Sequence, residues 1–127
     1  MPCVQHEALK PIEWVGSSLK DVLEFPRAVR REVGFALDTV QRGGTPDAAK
    51  AMKGFGGVSV MEIVEDYRGD TYRAIYTAKF GDVVYVLHCF QKKSKRGIST
   101  PKSDLDLIEA RLKIARAHYQ ANSQEKD

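Results

Sequence analysis

The chain has 127 residues, of which 43% are hydrophobic and 29% charged, with a formal net charge of +3. That length suits one domain with one core and excludes two ordinary ones; the composition is that of a folded globular chain, not a disordered or fibrous one. No run reaches the roughly 18 apolar residues of a membrane helix, and residues 1–10 lack a signal-peptide core, so the expected location is cytoplasmic, with no membrane contact.

The two cysteines, Cys3 and Cys89, form no CxxC and no zinc-like Cys/His spacing. A reducing compartment is the simplest reading. The positive charge is local. Lys92, Lys93, Lys95, Arg96 and Lys102 fall in one stretch with no acid, and the other 15 basic residues are outnumbered by 17 acidic ones. Such a patch steers a polyanion toward one surface.

In chain order, residues 1–9 read as a leader. Lys10 to Val15 predicts a short strand with Pro11 near its start, as an edge position allows. Gly16-Ser17-Ser18 breaks it, and Ser18 with Asp21 three residues on suggests a capped short helix. Phe25-Pro26 interrupts that helix and starts another. Val29, Val33, Ala36, Leu37 and Val40 follow at helical spacing until Gly43-Gly44 stops them. Thr45 to Gly57 reads as a connection.

Three strands come next. Val58 to Glu65 and Thr71 to Phe80 flank a turn at Asp66–Asp70. Gly81-Asp82 then turns into Val83 to Phe90, whose nearly continuous apolar run predicts a strand covered on both faces. A basic loop, Gln91 to Thr100, leads to a helix opened by Thr100-Pro101. Leu105, Ile108, Leu112, Ala115 and Tyr119 form its apolar stripe. The order β-α-α-β-β-β-α predicts an α+β fold. Its αα-hairpin and C-terminal helix pack on a largely antiparallel sheet, leaving the opposite face partly open. The expected unit is a single domain with its core at about residues 10–120 and fraying ends.

Several segments together resemble the RelE/HigB-type toxins of the RelE/ParE superfamily, and most closely their phage-derived HigB-like branch. Lys53-Gly54-Phe55-Gly56 precedes the sheet, and Glu62 lies in the first strand of the meander. Tyr72-Arg73-Ala74-Ile75-Tyr76 follows. Leu87-His88-Cys89-Phe90-Gln91-Lys92-Lys93 then precedes Thr100-Pro101. The match runs from about Lys10 to Tyr119. It departs at Glu62-Ile63-Val64, where many relatives have Glu-Leu-Arg, and at the spacer containing Gly97. The resemblance implies a type II toxin: a metal-independent, ribosome-dependent mRNA endonuclease with no cofactor, inhibited by a helix-turn-helix, HigA-like antitoxin. That complex would reach operator DNA through the antitoxin. The same fold also carries ParE-like, non-catalytic poisons of host enzymes such as DNA gyrase. A phage-derived remnant retaining only an antitoxin-binding regulatory role is a third reading.

RNA cleavage through the 2′-hydroxyl needs a proton acceptor, a proton donor and cations at the developing phosphorane charge. Arg73 suits the phosphate because its planar fork matches two oxygens; its alternative is a cross-strand pair with Glu62. Lys53, Lys92 and Lys93 are the next catalytic candidates, against a solvated loop that protects an edge. His88 is a proton-transfer candidate, against a buried structural histidine. Alternation places His88, Phe90 and Lys92 on one face and sets Tyr72 and Tyr76 opposite Arg73, toward the core. Phe90 is a base-stacking candidate, and Lys95, Arg96 and Lys102 are RNA-backbone contacts. Arg68-Gly69-Asp70 reads as a hairpin turn rather than an adhesion signal, and Gly54 to Gly57 lacks the context of a phosphate loop.

Overall fold

The computed structural model describes residues 9–55, 60–77, 80–92 and 100–125. Its centre is the antiparallel pair β4 (Asp70–Thr77) and β5 (Val84–Lys92), rich in Tyr, Ile and Val, which suit a pleated, covered surface. Outside β4 lie β3 (Val60–Tyr67) and then β2 (Ala49–Ala51), both antiparallel to their neighbours. On the other side β1 (Ile12–Trp14) pairs with β5 in parallel, giving the order β1-β5-β4-β3-β2. The β3–β4 hairpin turns on Arg68 and Gly69 alone, at φ 52° and 86°. Two positive φ values are the signature of a type I′ turn, whose twist matches the strands.

Two helices cover one face. α1 (Ser18–Leu23) ends before Phe25-Pro26, and Pro26 caps α2 (Arg27–Gln41). Val22, Phe25, Val29, Val33 and Leu37 pack there against Ile63, Tyr72, Tyr76, Val86 and Cys89. α3 (Lys102–Glu125) packs on the opposite face, with Ile108, Leu112 and Ala115 against Ile75, Tyr85 and Leu87. The backbone amides of Asp104 and Leu105 donate to the Pro101 carbonyl, so the helix starts where the proline directs it.

The mixed α+β class is observed, with five strands and three helices among the described residues. The turn expected over Asp66–Asp70 shrinks to Arg68-Gly69, because Asp66, Tyr67 and Asp70 pair in the ladder, and four further details differ from the sequence expectation. The connection after Thr45 contains a strand, β2, whose Ala-Lys-Ala has little strand propensity and is held by pairing with β3. Helices occupy both faces rather than one, because β3 to β5 carry apolar side chains on each side. The last strand runs on to Lys92, past the expected loop start at Gln91. Ser18 does not cap α1: its hydroxyl donates to the buried Val86 carbonyl at 3.0 Å, and Ser17 occupies the cap position.

Candidate functional site

The arrangement around Arg73 begins with an irregularity in β5. Ile75 pairs with His88, but Tyr76 pairs with Val86, so Leu87 is an extra residue in the ladder. This bulge turns both Leu87 and His88 toward α3: Leu87 joins the α3 core and His88 meets Asp104. The carbonyls beside it remain satisfied. Arg111 Nη1 donates to Leu87 at 2.9 Å, while the Ser18 hydroxyl and the Val15 amide donate to Val86. Beyond the bulge alternation resumes, and Phe90 and Lys92 lie on the same face as His88.

Arg73 lies across from Phe90 on β5 and Val64 on β3. Its Nη1 donates to Glu62 Oε2 on β3, and both side chains are buried. The cross-strand pairing read as the alternative for Arg73 is therefore present. Arg73 Nε has no partner among the described residues. His88 Nε2 lies 2.8 Å from Asp104 Oδ1, and its buried Nδ1 is unpartnered among the same residues. The His88 ring stacks on Phe90 with centroids 4.6 Å apart and planes inclined by 19°. Lys92 is only 8% exposed, yet no described carboxylate lies within ion-pairing distance of it.

Arg73, His88, Phe90 and Lys92 thus come together on one end of one sheet face. Lys53 does not join them. It is exposed, just after β2, where Met52 bonds to Val60. Arg73 pairs four residues further along β3, at Val64. That offset is roughly 13 Å along the strand, with two strand spacings across the sheet in addition. Lys102 is exposed on the first turn of α3 and paired with Asp106 at 3.1 Å, a surface pair of small energetic weight. Lys93, Lys95 and Arg96 lie outside the described residues.

The sequence reading passed over Asp104 and Arg111. Asp104 reads as an ordinary acid in a helix's first turn, and Arg111 as part of a solvated face. Only the bulge shows what they bind, and no residue pattern marks it. Cys89 faces the α1–α2 side. Burial pushes its thiol up to about 12, so it is a neutral core group rather than a nucleophile. A cavity of about 380 Å³ beside it is lined by Asp21, Glu24, Phe25, Tyr72, Phe90 and Gln91. Among the described residues its lining holds two carboxylates and no cation, which disfavours a phosphate there.

The family model of the phage-derived Gp49-like proteins (DUF891) matches residues 20–113. The chain belongs to that family. The Gp49-like proteins are a RelE/toxin-like family, so the broad toxin resemblance holds at that level. The match spans α1 to the middle of α3 and includes every residue gathered around Arg73. No curated protein and no solved structure matches this Gp49-like chain.

Proposed function

We propose that this Gp49-like chain is the toxin of a type II toxin–antitoxin pair, with a RelE-like fold of the HigB-like branch. In this reading it cleaves mRNA on the ribosome without a metal, and a helix-turn-helix antitoxin restrains it. The observation that carries the reading is the convergence of Arg73, His88, Phe90 and Lys92 on one sheet face, with a lysine that has no described carboxylate partner.

The reaction starts with attack of a 2′-oxygen on the adjacent phosphorus. The 2′ proton leaves to a base, the bond to the 5′-oxygen breaks, and that oxygen takes a proton. The products are a 2′,3′-cyclic phosphate and a 5′-hydroxyl. Arg73, buried and paired with Glu62, places positive charge beneath the phosphorane oxygens rather than donating a hydrogen bond to them. Lys92 supplies further positive charge and the proton for the leaving oxygen. Phe90, backed by His88, offers a stacking surface to an unpaired base. Lys93, Lys95 and Arg96 add positive charge by sequence alone, while Lys53 and Lys102 act as backbone contacts away from the reacting phosphate.

The Arg73–Glu62 pair also favours a second reading, because a neutralised guanidinium is less useful to a nuclease. The chain would then be a non-catalytic, ParE-like binder of an enzyme such as DNA gyrase. Primer extension on a defined mRNA with translating ribosomes separates the two. The nuclease reading expects new 5′ ends within ribosome-covered codons, lost in Lys92→Ala and Arg73→Lys. Growth arrest with intact mRNA and inhibited supercoiling would overturn it in favour of the binder.

A further inference from the structure

The cavity of about 380 Å³ beside Cys89 has the opposite charge to the face that holds Arg73 and Lys92. α1 and the turn after it build one wall. Asp21, Glu24 and Phe25 fall at i, i+3 and i+4, so all three point to one side. Glu24 keeps right-handed helical backbone at the C-cap, which sets its Cβ about 5–6 Å from that of Asp21. The sheet builds the other wall. Tyr72 on β4 pairs with Gln91 on β5, and Cys89 lies two residues before Gln91 on the same face. The Phe25 and Tyr72 rings meet edge to face with centroids 5.0 Å apart, and Phe90 adds a third ring to the lining.

The polar groups identify what fits. Asp21 accepts a hydrogen bond from the Ser17 hydroxyl at 2.7 Å, and neither Asp21 nor Glu24 forms an ion pair with a described residue. Cys89, free and 2% exposed, lines the cavity with no hydrogen-bonding partner among the described residues. The charge of Asp21 reaches that thiol and helps to raise it. The volume lies within the roughly 300–1,000 Å³ of small-molecule sites. Aromatic rings beside unpaired carboxylates suit a cation with an alkyl body, because the ring faces attract positive charge and cover methylenes. A metal ion suits them less: it needs several oxygen ligands, and among the described residues no three His, Cys, Asp or Glu side chains gather to hold one.

We propose that this cavity binds a short aliphatic diamine. One ammonium group meets Asp21, the other meets Glu24, and the methylenes lie against Phe25 and Tyr72. A chain of four carbons separates two ammonium groups by roughly the spacing of neighbours on one helix face. The site shares only Phe90 with the proposed nuclease and does not depend on that reading.

Titration calorimetry of the full chain with 1,4-diaminobutane, n-butylamine and 1,4-butanediol tests it. The diamine is expected to bind once per chain and at least about tenfold tighter than the monoamine, since a second charge-assisted hydrogen bond contributes that much. The diol gives no heat of binding. Asp21→Asn and Glu24→Gln each reduce the diamine to the level of the monoamine; Glu24 is exposed, so its variant keeps the fold. Glu32→Gln with Glu65→Gln, which removes two carboxylates at a different cavity, leaves binding in place. Equal affinity for diamine and monoamine, or diamine binding unaffected by Glu24→Gln, overturns the proposal. So does stoichiometric displacement of the diamine by Mg²⁺, or tighter binding of N-acetylarginine amide, which would make the cavity a socket for a protein side chain. The titrations contain neither RNA nor ribosomes, so their failure and the failure of the nuclease reading are separate results.

Discussion

Arg73 on β4 and Glu62 on β3 form an ion pair in which both side chains are more than nine-tenths buried. Neither charge faces bulk water, so each depends on the other. Removing one partner strands the other charge, which costs about 3–5 kcal/mol, whereas replacing both with apolar groups of similar volume is close to neutral. Arg73→Ala and Glu62→Ala are therefore each expected to destabilise by about that amount, and Arg73→Met with Glu62→Leu to regain most of it. Urea denaturation of the two single variants and the double variant checks this. Additive losses would mean that the pair is solvated and that Arg73 has another anion to answer to.

The same pair shows how far residue patterns reach. Alternation along Tyr72 to Tyr76 correctly separates the tyrosines from Arg73, and the apolar run of β5 correctly predicts cover on both faces. Pro26, Gly43 and Pro101 mark helix limits because their backbone chemistry acts locally. Contacts set by register are not readable in that way. The extra residue at Leu87, the His88–Asp104 contact and the placement of α3 on the second face depend on which strands meet, and at what offset. β2 escapes notice for the same reason, since its alanines become strand only through β3.

Cys89 leads to an alkaline prediction. Burial, with a smaller contribution from Asp21, raises its thiol from 9.0 to about 12, while Arg111 acts the other way. The folded state then holds a proton that the unfolded chain releases above about pH 9. Its contribution to stability is complete below pH 9 and is lost as pH rises toward 12, with a limiting slope of about 1.4 kcal/mol per pH unit. Tyr76, raised by burial from 10.0 to about 12, adds to the upper part of that window. Cys89→Ala is expected to flatten the slope from its lower end. Stability measured at intervals across this range decides the point; an unchanged slope in the variant would show that the thiol ionises freely in the fold.

Glu65 carries a penalty of opposite practical consequence. Burial, then Glu32 on α2, then the adjacent Asp66 raise its carboxyl above the ordinary 4.5. A raised carboxyl favours the protonated native state, so the stability it contributes is present in acid and declines as pH rises through the folded value. At neutral pH the carboxylate opposes folding. Glu65→Gln is therefore expected to melt higher than the parent near pH 7, with the difference shrinking below about pH 4. Added salt should narrow the gap at neutral pH by screening Glu32 and Asp66 but leave the desolvation part in place.

His88 and Asp104, 2.8 Å apart, join the last strand to the first turn of the last helix, beside the Arg111–Leu87 hydrogen bond further along. A hydrogen bond to a charged group contributes roughly 1.5–3 kcal/mol, and an acid in a helix's first turn adds a little through the dipole. Asp104→Ala is expected to cost about 2 kcal/mol, with faster amide exchange concentrated at the start of α3 and the end of β5. His88→Ala should cost a similar amount, and the double variant little more than either, because the two act as one contact. Cleavage adds a readout that stability lacks. If His88 only staples α3, Asp104→Asn lowers the rate without changing its pH profile. If the ring exchanges protons with RNA, the same substitution moves the profile, because the carboxylate that orients the imidazole has gone.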